Sequence, residues 1–157
     1  MDYMKRVFIV LGLIGLLGLH ACHSKKEGNV LISRTFQTYN WERFDFLEQE
    51  IEIGKPTTYD LSLDATFNSD YPFDYFAMVF TVFDEENHPL RSRSYQFKLK
   101  DRNGTWLSEC TNGVYRFRFP INNELTLNES GRYLFQIENR MPITPLAGVV
   151  EIVLTNQ

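Results

Sequence analysis

At 157 residues the chain has room for one ordinary domain, and 16 basic against 20 acidic side chains give it a formal charge of −4. A mildly acidic chain without a basic run is poorly suited to nucleic acid or to anionic lipid headgroups, so both are set aside as ligands. With 43% hydrophobic and 15% aromatic residues it can fill a core.

The first element is a leader. Lys5 and Arg6 precede thirteen residues, Val7 to Leu19, without a charge or strongly polar group. Such a run rises about 20 Å as a helix against a hydrocarbon core of roughly 30 Å, which is too short to span. It ends in Leu19-His20-Ala21-Cys22, a small residue directly before a cysteine, the pattern of a bacterial lipobox. Ordinary secretory cleavage, leaving Cys22 a plain thiol, is the competing reading; Leu19 and Ala21 favour lipidation. Residues 1–21 are therefore expected to be a lipoprotein signal peptide and Cys22 the acylated first residue of the mature chain. Two or three acyl chains such as palmitate, at about 0.8 kcal/mol per buried methylene, would hold it on a membrane essentially permanently.

Removing residues 1–21 leaves 136, carrying 14 basic and 19 acidic groups and a net charge of −5. Residues 22–29 (CHSKKEGN) are polar and read as a flexible tether of at most about 28 Å. Lys25 and Lys26 are expected near the headgroups. The absence of Asp after Cys22 removes one inner-membrane retention signal, which favours the outer membrane, facing the periplasm or the cell surface. With Cys22 acylated, Cys110 has no disulfide partner within the chain and is expected to be a small buried apolar residue.

From residue 30 to residue 157 a period of two replaces any helical period, and a single all-β domain is expected. Tyr59, Leu61, Leu63, Ala65 and Phe67 alternate with Asp60, Ser62, Asp64 and Thr66. One face meets a core and the other meets water. Residues 47–53, 94–100, 115–119 and 133–138 alternate in the same way. Tyr75 to Phe83 and Val149 to Leu154 are apolar at both parities, as befits central strands or a further contact surface. Turns are expected at residues 54–56, 68–70, 84–89, 101–104, 122–123 and 128–131, with Asn103-Gly104 a strong hairpin signal. About eight strands at this spacing predict a two-layer antiparallel β-sandwich, jelly-roll or immunoglobulin-like.

Reactive groups are sparse. The mature chain keeps only His23 in the tether and His88 in a turn, neither placed to serve a nucleophile. No Cys or His pair has ligand spacing, and no calcium or phosphate loop is present, so no metal, cofactor or small-molecule substrate is expected. Carboxylates are the only plentiful groups; Asp60, Asp64, Asp74 and Glu138 are the candidates for a glycosidase pair. Glu48, Glu50 and Glu52 read instead as a solvated stripe that blunts strand pairing. Trp41 and Trp106 are either core fillers or stacking platforms for sugar rings. In Tyr71-Pro72-Phe73-Asp74-Tyr75-Phe76 the proline fixes a bend, so neighbouring aromatics must point in several directions and at least one is expected at the surface. These six residues are the candidate interaction surface.

Four segments carry a resemblance: residues 41–53 (WERFDFLEQEIEI), 71–78 (YPFDYFAM), 97–113 (FKLKDRNGTWLSECTNG) and 131–154 (GRYLFQIENRMPITPLAGVVEIVL). Together with the lipobox they span nearly the whole chain, which resembles the GldH family of gliding motility lipoproteins. The resemblance implies a cell-envelope lipoprotein linked to surface gliding and type IX secretion, acting with other envelope proteins, and it supplies no catalytic or ligand residues. Two readings follow. One is a non-enzymatic accessory lipoprotein that docks on envelope proteins. The other is a glycan-binding lipoprotein, with Trp41 or Trp106 stacking on sugar and Asp60, Asp64 or Asp74 accepting hydroxyl hydrogen bonds.

Overall fold

A computed structural model describes residues 28–157. The lipobox, Cys22, and the tether up to residue 27 lie outside the described residues. Among those described there is no helix, and eight strands of seven residues or more account for the fold. They are β1 (Asn29–Thr35), β3 (Leu47–Ile53), β4 (Thr57–Asn68), β5 (Tyr75–Phe83), β6 (Pro89–Lys98), β8 (Val114–Leu127), β9 (Gly131–Asn139) and β11 (Val149–Asn156). Three two-residue strands complete the set: β2 (Asn40–Trp41), β7 (Cys110–Thr111) and β10 (Leu146–Ala147).

All pairings are antiparallel and form two layers not closed into a barrel. One sheet runs β1-β11-β4-β8-β7 and the other β3-β9-β5-β6, with β10-β2 as a small ribbon. Counting only the long strands, the orders are first-eighth-third-sixth and second-seventh-fourth-fifth. That is the double Greek key of a jelly roll, and the immunoglobulin alternative is thereby resolved.

The core face of β4 is realised as expected, but its other face does not simply meet water: Asp60 is exposed, Asp64 half-buried, and Ser62 and Thr66 are buried. Tyr59, Leu61, Leu63, Ala65 and Phe67 are buried at 6% exposure or less and face β5, whose Phe76, Met78, Phe80 and Val82 close the core from the other sheet. Phe135 packs edge-on against both Tyr59 and Phe80, with ring centroids 5.5 Å apart in each pair. The two doubly apolar segments become the interior strands β5 and β11, flanked on each side by a hydrogen-bonded neighbour. Within β5 the outward Thr81 is itself buried and its hydroxyl bonds Ser92 at 3.0 Å.

One expected turn is lost, one forms with a different detail, and one hairpin was not expected. Residues 122–123 do not turn: β8 continues through them, and the disturbance appears as a register shift opposite Leu61, just past Pro120. In the 101–104 turn only Gly104 takes positive φ, at 80°, while the Asp101 carboxylate accepts from the backbone N–H groups of Asn103 and Thr105. That turn is closed by an antiparallel bridge between Lys100 and Trp106, and a second tight hairpin, Asn112-Gly113 at φ 55° and 79°, joins β7 to β8 through the pairs Thr111–Val114 and Cys110–Tyr115.

Candidate interaction surface

The strands lay their connections at two ends. Loops 54–56, 84–88 and 128–130 share one end, and it is toward this end that the chain enters β1 at Asn29, paired with Asn156. Loops 36–46, 69–74, 99–109 and 140–145 share the opposite end. Residues 71–76 therefore lie far from where the tether joins.

Within that segment the six candidates divide. Tyr71 and Phe76 are core residues at 1% and 0% exposure, Phe73 and Tyr75 are half-buried, and Pro72 and Asp74 are exposed. Tyr71 is held from several sides: its ring lies 4.4 Å from Phe67, its hydroxyl donates to the Tyr75 carbonyl at 2.9 Å, and its carbonyl accepts from Lys100 Nζ at 3.0 Å. Burial first, and the neighbouring Tyr75 second, push the Tyr71 hydroxyl well above the ordinary tyrosine range. Gly148, at φ 79°, packs so close that a Cβ there would meet the Tyr71 backbone nitrogen at 2.3 Å. The bend is thus rigid, and it presents Pro72, Phe73, Asp74 and Tyr75 outward.

The same end carries a second apolar group that sequence reading missed. Tyr39, Phe44, Phe46 and Ile143 are exposed, Phe44 most of all at 79%. They sit on two loops fastened to each other. The Arg43 backbone N–H donates to Thr144 Oγ1 at 3.1 Å, its guanidinium to the Pro142 carbonyl at 3.3 Å, and Thr144 Oγ1 donates to the Glu42 carboxylate. Beneath them Trp41 is fully buried, its Nε1 donating to the Asp45 carbonyl at 2.7 Å. The available signal was the run Phe44-Asp45-Phe46, apolar residues flanking a charge outside any strand that needs them inside.

The sugar-platform expectation is corrected at Trp41. An indole with no exposed surface, wedged between Phe36 and Phe76 at 5.2 and 6.1 Å, fills a core and cannot stack on a glycan. Trp106 is half-buried, and its π surface is already engaged: Tyr115 stacks on it at 4.1 Å and Lys100 Nζ stands 4.4 Å from its centroid. Trp106, Tyr115, Phe117, Phe119, Phe97 and Tyr95 form an aromatic ladder that closes the seam between β6 and β8.

The carboxylate candidates do not converge. Asp60 and Asp64 share the outer face of the first sheet four residues apart, while Glu138 lies on the outer face of the second sheet and Asp74 in the loop before β5. Asp64 is held by a bidentate pair with Arg118, at 2.6 and 2.7 Å, and Glu138 by Arg140 at 2.9 Å. The Asp64 carboxylate raises the Arg118 pKa further above its ordinary value. Among the described residues no group of three metal-ligating side chains comes together.

Cys110 is also corrected. It is exposed, because it opens the two-residue strand β7 at the margin of its sheet, outside the core. Burial, and then the adjacent Cys110, raise the Tyr115 hydroxyl pKa.

What these features define is an all-β jelly-roll sandwich with an apolar loop end. The chain belongs to the GldH lipoprotein family, whose model matches residues 32–154. It is accordingly a membrane-anchored lipoprotein of the cell envelope. No curated protein matches the chain. Among solved structures, one described as "CBM4 structure and function" is similar at a TM-score of 0.36 and 8% identity, covering 85% of this chain and 81% of that one.

Proposed function

We propose that this protein is a non-enzymatic accessory component of a gliding-motility and type IX secretion-linked machinery, anchored through acyl chains on Cys22 and acting by contact with other envelope proteins. The observation that carries this reading is the loop end of the sandwich. Large apolar side chains there, Phe44 and Ile143 foremost, are held in water by a hydrogen-bonded scaffold at the end opposite the tether junction, beside Pro72, Phe73 and Tyr75. Exposed apolar groups on a rigid support are what a protein partner buries. Family membership supplies the motility context by association.

The test is affinity capture of the lipidated protein from envelopes, wild type against Phe44→Ser with Ile143→Ser. The proposal expects specific envelope proteins to be recovered with wild type and lost with the double variant at unchanged expression. Deletion of the gene leaving gliding, secretion and envelope integrity unaltered would count decisively against it.

A further inference from the structure

We propose that Tyr39 is the residue by which the loop end holds its protein partner, the ring entering an apolar pocket on that partner and the hydroxyl meeting a hydrogen-bond acceptor at the base of the pocket. The inference rests on the docking reading above and adds to it an anchor and the kind of site the anchor fits. Tyr39 takes φ 56°, in the left-handed region. Among the described residues the other non-glycine residues with positive φ are Asn87 and Asn112, a side chain that tolerates this conformation. An aromatic residue is held there only at a cost in backbone strain.

The fold dictates the conformation but not the side chain. Tyr39 closes the reversal between β1 and β2: its N–H donates to the Phe36 carbonyl at 3.0 Å, and its carbonyl accepts from the Val149 N–H at 3.2 Å. Both bonds use backbone atoms alone, so asparagine or glycine would make them with less strain. Nor does the ring repay the fold with contacts. Of the seven tyrosines among the described residues, six lie against another aromatic ring or donate a hydrogen bond through the hydroxyl. Tyr39 does neither, it is not among the side chains packed on the core, and it is 49% exposed.

A strained residue whose side chain touches little of its own chain marks a contact made with another molecule. Tyr39 shares the loop end with the exposed Phe44, Phe46 and Ile143. Tyrosine combines a large apolar body, few rotatable bonds and a polar tip, which is why it recurs as a buried anchor at protein interfaces and why its hydroxyl needs a partner once covered.

The experiment titrates the full lipidated chain against the envelope protein that wild type recovers and Phe44→Ser with Ile143→Ser loses. Tyr39→Asn is expected to raise the midpoint of thermal unfolding by about 4 °C, as relief of the strained φ requires, and to weaken binding about thirtyfold. Tyr39→Phe keeps both ring and strain, so it should leave the midpoint unchanged and weaken binding about fivefold. A photo-crosslinking phenylalanine analogue at position 39 should couple in cells to that same protein. If Tyr39→Asn loses the wild-type far-UV spectrum, Tyr39→Gly takes its place. A midpoint that falls with the strain-relieving variant would show the ring serving the fold, and binding unchanged in either variant would remove the anchor; each overturns the proposal while the docking reading stands. If wild type recovers no protein that depends on Phe44 and Ile143, the docking reading fails and this proposal with it.

Discussion

Tyr71 shows how much a single side chain fixes at the loop end. Its hydroxyl meets the Tyr75 carbonyl while its ring fills the core, so Tyr71→Phe removes one hydrogen bond and is expected to cost about 1 kcal/mol in urea unfolding at neutral pH. The same substitution should alter the alkaline limb. The folded-state pKa lies above the unfolded value of about 10, so the native state keeps its proton where the unfolded chain loses it. Stability from this group is complete below pH 10 and falls as pH rises beyond it; Tyr71→Phe should flatten that decline in unfolding measured between pH 9 and 11. Gly148 is the companion case. An alanine there meets backbone at 2.3 Å with φ at 79°, and thermal unfolding should register a loss of about 3 kcal/mol or more. At Gly104, where φ is also positive but space is open, the loss should be about 1 kcal/mol. Cys110 gives a third outcome. Being exposed and free, it should react with a thiol reagent in the native state at one equivalent per chain when Cys22 is acylated, and an unlipidated chain should give two.

At the scale of elements, strands were legible wherever the two parities differed in polarity. In β4 the period of two named the core residues because the other parity is polar in sequence, although Ser62 and Thr66 on it are themselves buried. Leu63→Ala is expected to cost about 3 kcal/mol in chemical denaturation, and the outward Thr58→Ala less than about 0.5 kcal/mol. The interior strands β5 and β11 were legible for the opposite reason, since apolar residues at both parities suit a strand flanked on each side. Residues 122–123 misled because paired asparagines signal a turn locally, whereas the long pairing of β8 with β4 absorbs the irregularity as a register shift. The Asn112-Gly113 hairpin carried a strong local signal but joins a strand of only two residues, too short to show any alternation. Cys110 was misplaced by the same circumstance: burial preference was the only guide where the pattern was absent.

At the scale of the whole molecule, strand order was not legible, because a jelly roll is defined by pairings between distant segments such as β1 with β11 and β3 with β9. The loop end was legible in part. The proline bend announced that some of residues 71–76 would be exposed, and Pro72, Phe73, Asp74 and Tyr75 reach the surface in whole or part. Phe44 and Ile143 were hidden because only the folded chain brings residues 36–46 against residues 140–145. Exposed as Phe44 is, Phe44→Ser should change unfolding stability by no more than about 0.5 kcal/mol while reducing capture of envelope partners.

The pairing of Asn29 with Asn156 has a practical corollary. The start of β1 and the end of β11 lie side by side, with the Gln157 N–H donating to the Asp60 carbonyl at 2.9 Å. A fluorophore fused after Gln157 should therefore be quenched by brominated or spin-labelled lipids more than one attached at position 44, at the opposite end of the sandwich. Tags appended at the carboxyl terminus should leave the remote loops unobstructed, and handles inserted between residues 102 and 104 should crowd them.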